Sequence, residues 1–275
     1  LAPEAPFPGG LEDCLAAYHD LLKQGVAPGD ISFAGDSAGA GLVLSTLLAL
    51  RDEGTPMPAN ATVLSPMGDL TFTGESRVFN KRADPMLPAH RDSRMHDMYI
   101  GDVPPENRYL SPVLASFEGM PPLLAQVGST EILLSDSVRA AERAKEAGVQ
   151  CFLEIWDEMP HNFAAMGILP ESRVAVERIA RFMRSSGLDE LPPRYGSSRY
   201  QPPKGFCRRR PARLPYPPAA APARCPCTGA RARTCCSCWP STTTYRASSP
   251  STNWRISSFT GASAAKPATP GKTSS

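Results

Sequence analysis

The chain has 275 residues, with 29 Lys and Arg against 27 Asp and Glu, and its net charge of +2 points to no charged partner. That balance hides a split, because residues 199–275 hold 13 of the basic residues and no acidic one, which leaves residues 1–198 at −11. No apolar run approaches the roughly 18 residues that a membrane-spanning helix needs, so a helical transmembrane protein is excluded.

In chain order, Leu11–Gln24 reads as an amphipathic helix with Leu11, Leu15, Tyr18 and Leu22 on one face, closed by Gly25 and Pro28. Ile31–Ala34 is a short strand. Ala38–Glu53 is a second helix, and its scarcity of charge implies burial on most sides. Ala61–Ser65, Leu123–Val127 and Cys151–Trp156 are apolar runs of strand length, the last two followed by helices over Ser135–Ala147 and Ser172–Ser186. Residues 68–119 carry Pro85, Pro88, Pro104, Pro105 and Pro112 and are irregular, with one helix expected near Ala89–Tyr99. Strands alternating with helices predict an α/β fold: a parallel sheet of about four strands, right-handed crossovers and covering helices over residues 1–190.

Residues 199–275 read differently. They hold 12 of the 30 prolines and six of the eight cysteines, in clusters such as Arg208–Arg210 and Cys235–Cys238, with no periodicity able to bury a face. A low-complexity, disordered basic tail is expected. Cys225-Pro-Cys227 is too tight for the paired cysteines of a zinc ribbon, and no His follows residue 161, which argues against a zinc site with Cys235, Cys236 and Cys238. The basic run Arg208–Arg210 has no interleaved aromatic platform, which argues against a nucleic-acid partner. The abrupt loss of every acidic residue looks like a shifted reading frame in a GC-rich gene.

The chemistry lies in the first part. Gly35-Asp36-Ser37-Ala38-Gly39 follows a predicted strand and opens a predicted helix, the context of a G-x-S-x-G nucleophile elbow. Flanking glycines are expected because side chains there would collide with backbone, and Ser37 is expected to sit strained and exposed at a helix N-terminus. There the Ala38 N–H and the helix dipole can meet developing negative charge. A serine hydroxyl needs a base to take its proton. Of the four histidines, His19 lies in a helix and His90 and His96 in the irregular segment. His161 follows the last strand, where a parallel sheet delivers side chains to its C-terminal edge. The acid should end the preceding strand: Glu131 in Val127-Gly128-Ser129-Thr130-Glu131 is favoured. Asp136 is the alternative, read instead as an N-terminal cap or dipole partner of the next helix.

Six segments in order, LAPEAPFPGGLEDC at 1–14, GDSAGAGL at 35–42, LSPMGDLT at 64–71, ADPML at 83–87, YLSPVLASFEGMPPLLAQVGSTEILLSDS at 109–137 and WDEMPHNFAAM at 156–166, make residues 1 to about 190 resemble the C-terminal part of a hormone-sensitive-lipase-like esterase, the α/β-hydrolase fold-3 group. The resemblance implies a serine carboxylesterase acting on short-chain acyl or aryl esters of small molecules, without metal or organic cofactor. It also implies Glu131 as the acid, since a subgroup of that family carries Glu there. The family's cap and its His-Gly-Gly-Gly oxyanion loop are absent from the 275 residues, so impaired activity is expected of this chain. A non-catalytic relative of the same fold and a Ser-dependent amide or peptide hydrolase remain as alternatives. Cys14 and Cys151 read as buried thiols, which fits a reducing, cytoplasmic compartment.

Overall fold

The computed structural model describes residues 1–87 and 93–188; the expectations for His90 and for the 199–275 segment, its cysteines included, lie outside the described residues. Helix α1 (Gly9–Lys23) starts just after Pro8, two residues earlier than its apolar pattern, and ends before Gly25, whose φ of +87° is open to glycine. Strand β1 (Ser32–Asp36) leads through Ser37 into helix α2 (Ala38–Glu53), which ends at Gly54 in the left-handed conformation of a C-terminal cap. Strand β2 (Asn60–Leu64) follows. After it, the irregular stretch holds a single-turn helix α3 (Ser76–Phe79), helix α4 (Ser93–Ile100) and a 3₁₀ turn at Pro112–Leu114, where the sequence predicted one helix. Strand β3 (Leu123–Gly128), helix α5 (Leu134–Glu146), strand β4 (Cys151–Trp156) and helix α6 (Pro170–Ser185) complete the described part.

The four strands form one parallel sheet in the order β1-β2-β3-β4, as the alternation of strands and helices predicts. The register pairs Phe33 with Ala61, Ala61 with Leu123 and Leu123 with Cys151, so side chains of one parity line each face. On one face Ala61, Val63, Leu123 and Ala125 pack against Val43, Leu44, Leu47 and Leu48 of α2 and Ala140 and Ala144 of α5. Helix α2 is buried nearly all round, and its two hydroxyls meet carbonyl acceptors: Ser45 Oγ lies 2.6 Å from Tyr109 O and 3.0 Å from Gly41 O, and Thr46 Oγ1 donates to Leu42 O at 2.7 Å. Gly41 has a packing reason, since a Cβ there would overlap the Met67 carbonyl.

The opposite face is covered by α6 and is more polar. Asn60 Nδ2 donates to Met183 O at 3.2 Å, and Gln126 Nε2 donates to Glu154 Oε2 at 2.8 Å and to Ala175 O at 3.3 Å. Glu154 is in turn bonded by Arg178 Nε at 2.5 Å, an ion pair with both members buried. This layer fixes where α6 lies and, through Trp156, Phe163 and Ala175, where the loop between β4 and α6 turns back over the sheet.

Candidate active site

The elbow is built by the turn from β1 to α2. Ser37 has φ 53° and ψ −120°, a conformation that a side chain rarely tolerates. It is held by three backbone bonds: Ser37 N–H to Leu64 O at 2.9 Å, and Ser37 O accepting from Gly41 N at 3.1 Å and Met67 N at 3.0 Å. At Gly35 an added Cβ would lie 2.5 Å from Gly39 O and 2.8 Å from Ala40 N, so that position admits only glycine. The expectation of the same clash at Gly39 is corrected: nothing among the described residues lies within 4 Å of a Cβ there. Ala38 is exposed and, as the first residue of α2, has an N–H with no acceptor inside the helix.

His161 lies in the loop after β4, buried to 5% exposure. Its Nε2 is 3.0 Å from Ser37 Oγ and its Nδ1 is 2.8 Å from Glu131 Oε2. A carboxylate only accepts, so Nδ1–H donates to Glu131 and Nε2 is left to accept from the Ser37 hydroxyl. Glu131 is completely buried, and its other oxygen, Oε1, accepts from Gly128 N at 2.6 Å and from Ser65 Oγ at 2.7 Å. Gly128 lets the two loops meet, since a Cβ there would overlap the Met159 carbonyl. Thr130 Oγ1 donates to Met159 O at 2.7 Å and Glu158 N–H donates to Ser129 Oγ at 2.8 Å, tying the acid loop to the histidine loop. From behind, Asn80 Nδ2 donates to Ser129 O at 2.8 Å and Glu131 O at 2.7 Å, and Asp84 Oδ2 accepts from Ile132 N at 2.8 Å.

Asp136 is elsewhere. It is fully buried in the first turn of α5, whose N-cap, Leu133, carries no side-chain cap; the capping role read for Asp136 is corrected, while its place near the dipole stands. Its Oδ2 accepts from Gly68 N at 3.0 Å and Asp69 N at 3.1 Å, and its Oδ1 has no partner among the described residues. Burial, with Asp69 adding, pushes its pKa up to about 7 against the opposing pull of Arg77, the Gly68 N–H and Arg139. At Asp69 burial also disfavours the charge, yet bonds from Thr71 and Thr73 outweigh it and hold that carboxyl below its ordinary range. Of the other histidines, His19 pairs with Glu53 at 3.2 Å and His96 Nε2–H donates to Leu70 O at 3.0 Å, so neither belongs to the Ser37 cluster.

Ser37, Glu131 and His161 are the residues that motif and chain order single out; Ser65, Asn80, Asp84 and Asn162 join them only in the folded structure. Ser65 lies in LSPMGDLT and Asp84 in ADPML, segments that carry the resemblance without having announced a role. Among the described residues no three His, Cys, Asp or Glu side chains converge as metal ligands would. No described helix is long and apolar enough to cross a membrane. An apolar groove of about 220 Å³, lined by residues including Cys14, Tyr18, Phe33, Ala34, Leu42 and Val43, runs beside β1 and contains none of the three clustered side chains.

Residues 1–165 match the family described as alpha/beta hydrolase fold. An acetyl-hydrolase of Streptomyces hygroscopicus is 42% identical over 185 residues, 67% of this chain and 62% of its own length. An esterase of Acinetobacter venetianus is 38% identical over 191 residues, 69% of this chain and 63% of its own. The crystal structure of an esterase from the bacterial hormone-sensitive lipase family superposes with a TM-score of 0.65 at 46% identity, over 67% of this chain and 62% of that one. The chain therefore spans a little under two thirds of the length of these relatives. With the four-stranded parallel sheet and the strand-turn-helix at Ser37 already in place, these matches make the chain a member of the alpha/beta hydrolase family, in its fold-3 group of hormone-sensitive-lipase-like esterases.

Proposed function

We propose that this chain carries the nucleophile, base and acid of a serine carboxylesterase acting on short-chain acyl or aryl esters. Ser37 Oγ attacks the ester carbonyl carbon while its proton passes to His161 Nε2, and the carbonyl oxygen becomes an oxyanion facing the Ala38 N–H and the start of α2. The C–O bond to the alcohol then breaks, His161 returns the proton to the departing oxygen, and an acyl-serine remains. Water attacks that acyl group with His161 again taking a proton; the bond from the acyl carbon to Ser37 Oγ then breaks, His161 returns the proton to Oγ, and the acid leaves. Glu131 accepts from Nδ1–H throughout, fixing the tautomer and favouring the imidazolium that forms in each step.

The observation that carries the reading is the unbroken hydrogen-bonded line Ser37–His161–Glu131, with distances of 3.0 and 2.8 Å and a buried acid. The names of the acetyl-hydrolase and esterase relatives favour esters over amides. Among the described residues Ala38 supplies the one oxyanion donor we assign, and each missing donor costs about 10²–10³ in kcat. Turnover by the 275-residue polypeptide alone is therefore expected to be slow. Cys14 and Cys151 are free thiols whose pKa values burial raises, Cys151 to about 12, and we include a reducing compartment in the proposal.

The test compares p-nitrophenyl butyrate with the corresponding anilide. Cleavage of the ester in preference to the anilide, lost in Ser37→Ala, is expected. Equal or faster anilide cleavage would move the chain to the amide hydrolases. Ester cleavage unchanged in Ser37→Ala would remove Ser37 from the chemistry.

A further inference from the structure

The residue before the nucleophile and the residue after the base are hydrogen-bonded to each other. Asn162 Nδ2 donates to Asp36 Oδ2 at 2.8 Å, a bond that spans 126 residues of sequence and joins the end of β1 to the loop after β4. Asn162 has φ 54° and ψ 30°, the left-handed conformation that Asn and Asp adopt more readily than other side chains. Its backbone N–H points to Ser65 Oγ at 3.4 Å, the same oxygen whose proton goes to Glu131. Asn162 is therefore held on one side by the elbow and on the other by the group that also holds the acid.

The consequence concerns His161. Its ring must stay within hydrogen-bonding reach of both Ser37 and Glu131, which lie on different loops. Glu131 is anchored by Gly128 and Ser65, and its loop by Asn80 and Asp84. The bond between Asp36 and Asn162 is what ties the histidine loop to the strand end that carries Ser37. Resting on the esterase reading above, we propose that Asp36 and Asn162 form a positioning latch that sets the distance between the His161 imidazole and the Ser37 hydroxyl. Neither residue touches the reacting atoms; each acts through its neighbour.

A change of donor and acceptor tests this without disturbing the backbone. Asn162→Asp keeps a residue suited to the left-handed conformation but sets two acceptor-only carboxylates against each other, opening the latch. Asp36→Asn keeps an acceptor oxygen and should cost less. The exchanged pair, Asp36→Asn with Asn162→Asp, restores a donor facing an acceptor with the polarity reversed and should recover most of what Asn162→Asp loses. The readout is the phosphonylation of Ser37 by a fluorophosphonate probe. Asn162→Asp is expected to lower the maximal inactivation rate by about 10²-fold, the order associated with a misplacement of about 1 Å, with the probe's half-saturating concentration little changed. In the same samples the His161 Nδ1 proton, followed by NMR, should remain sharp in the parent chain and the exchanged pair and broaden in Asn162→Asp, whether or not Ser37 reacts.

A purely structural role would lower melting temperature in the variants while leaving the inactivation rate of the folded fraction and the imidazole proton untouched, and that result would overturn the latch. Failure of the exchanged pair to recover would overturn it as well. Labelling that persists in Ser37→Ala would instead overturn the assignment of the nucleophile, and the imidazole proton would then decide the latch alone.

Discussion

The two ends of the sheet differ in how completely their polar groups are served. On the side of β2, β3 and β4, the candidate acid is buried with both oxygens bonded, to His161, Ser65 and Gly128, and its loop is braced by Asn80 and Asp84. On the side of β1, the strand has no neighbour beyond β2 among the described residues, an apolar groove lies along it, Ala38 is exposed and Gly39 has empty space where a Cβ would go. The proposed proton relay thus lies within the described residues, while the groups that would meet the oxyanion and enclose the substrate are few there. On the proposed mechanism, proton transfer and charge stabilisation fall to different groups, and variants can probe one while leaving the other alone.

The largest effect is expected at the acid. Glu131→Gln keeps the shape but can present an N–H to the imidazole and favour the wrong tautomer; a comparable change in another triad costs about 10⁴ in rate. Asp136→Asn should leave the rate nearly unchanged, because Asp136 bonds the backbone of Gly68 and Asp69 and not the imidazole. Steady-state kinetics on both variants check the ranking, and the reverse order would pass the acid's role to Asp136.

Next comes the polar layer under α6. Arg178→Ala leaves Glu154 charged, buried and short of a partner, which costs about 3–5 kcal/mol for pairs of this kind. A domain of this size loses about 2–4 °C per kcal/mol, so a fall in Tm of roughly 10 °C is expected in thermal unfolding. A shift of a degree or less would mean that water reaches Glu154.

A smaller effect concerns pH. Asp136 titrates near 7 when folded and near its ordinary 3.8 when unfolded, so the folded state holds the extra proton between those values. Its contribution to stability is full below about 4 and is lost as pH rises through 7, against the charges of Asp69, Arg77 and Arg139 that face it. Urea unfolding of Asp136→Asn should show a flatter dependence over that window than the parent chain. Parallel curves would show that Asp136 does not titrate there.

The smallest effect is expected from removing residues 199–275, which carry none of the clustered side chains and no periodicity able to bury a face. Tm and esterase rate should be unchanged, and association of the +13 segment with the −11 remainder should weaken with salt. Unfolding of the shortened chain would reveal a structural element in that segment.

What could be read from the sequence was whatever local order encodes. The strands and the long helices followed from apolar runs, Ser37 from a five-residue motif between a strand and a helix, and His161 and Glu131 from their places after strands. What could not be read depends on partners far apart in the chain. Ser65 meets Glu131 across 66 residues and Asn162 meets Asp36 across 126, contacts that exist only once sheet order and register are known. Asp136 falls in a first turn, where a cap or dipole partner is expected, but its hydrogen-bond donors lie 67 and 68 residues upstream. The four-residue helix α3 is too short to show periodicity, yet Asn80, its C-terminal cap residue, braces the acid loop.

Activation of Ser37 is tested by intact-protein mass spectrometry of the 275-residue chain after exposure to a fluorophosphonate, followed by mapping of the adduct. If Ser37 is activated by His161 and Glu131, a single phosphonyl adduct forms on Ser37, and it forms far more slowly in His161→Ala and Glu131→Gln. An adduct on another residue, or equal labelling of Ser37 in all three chains, would contradict the account.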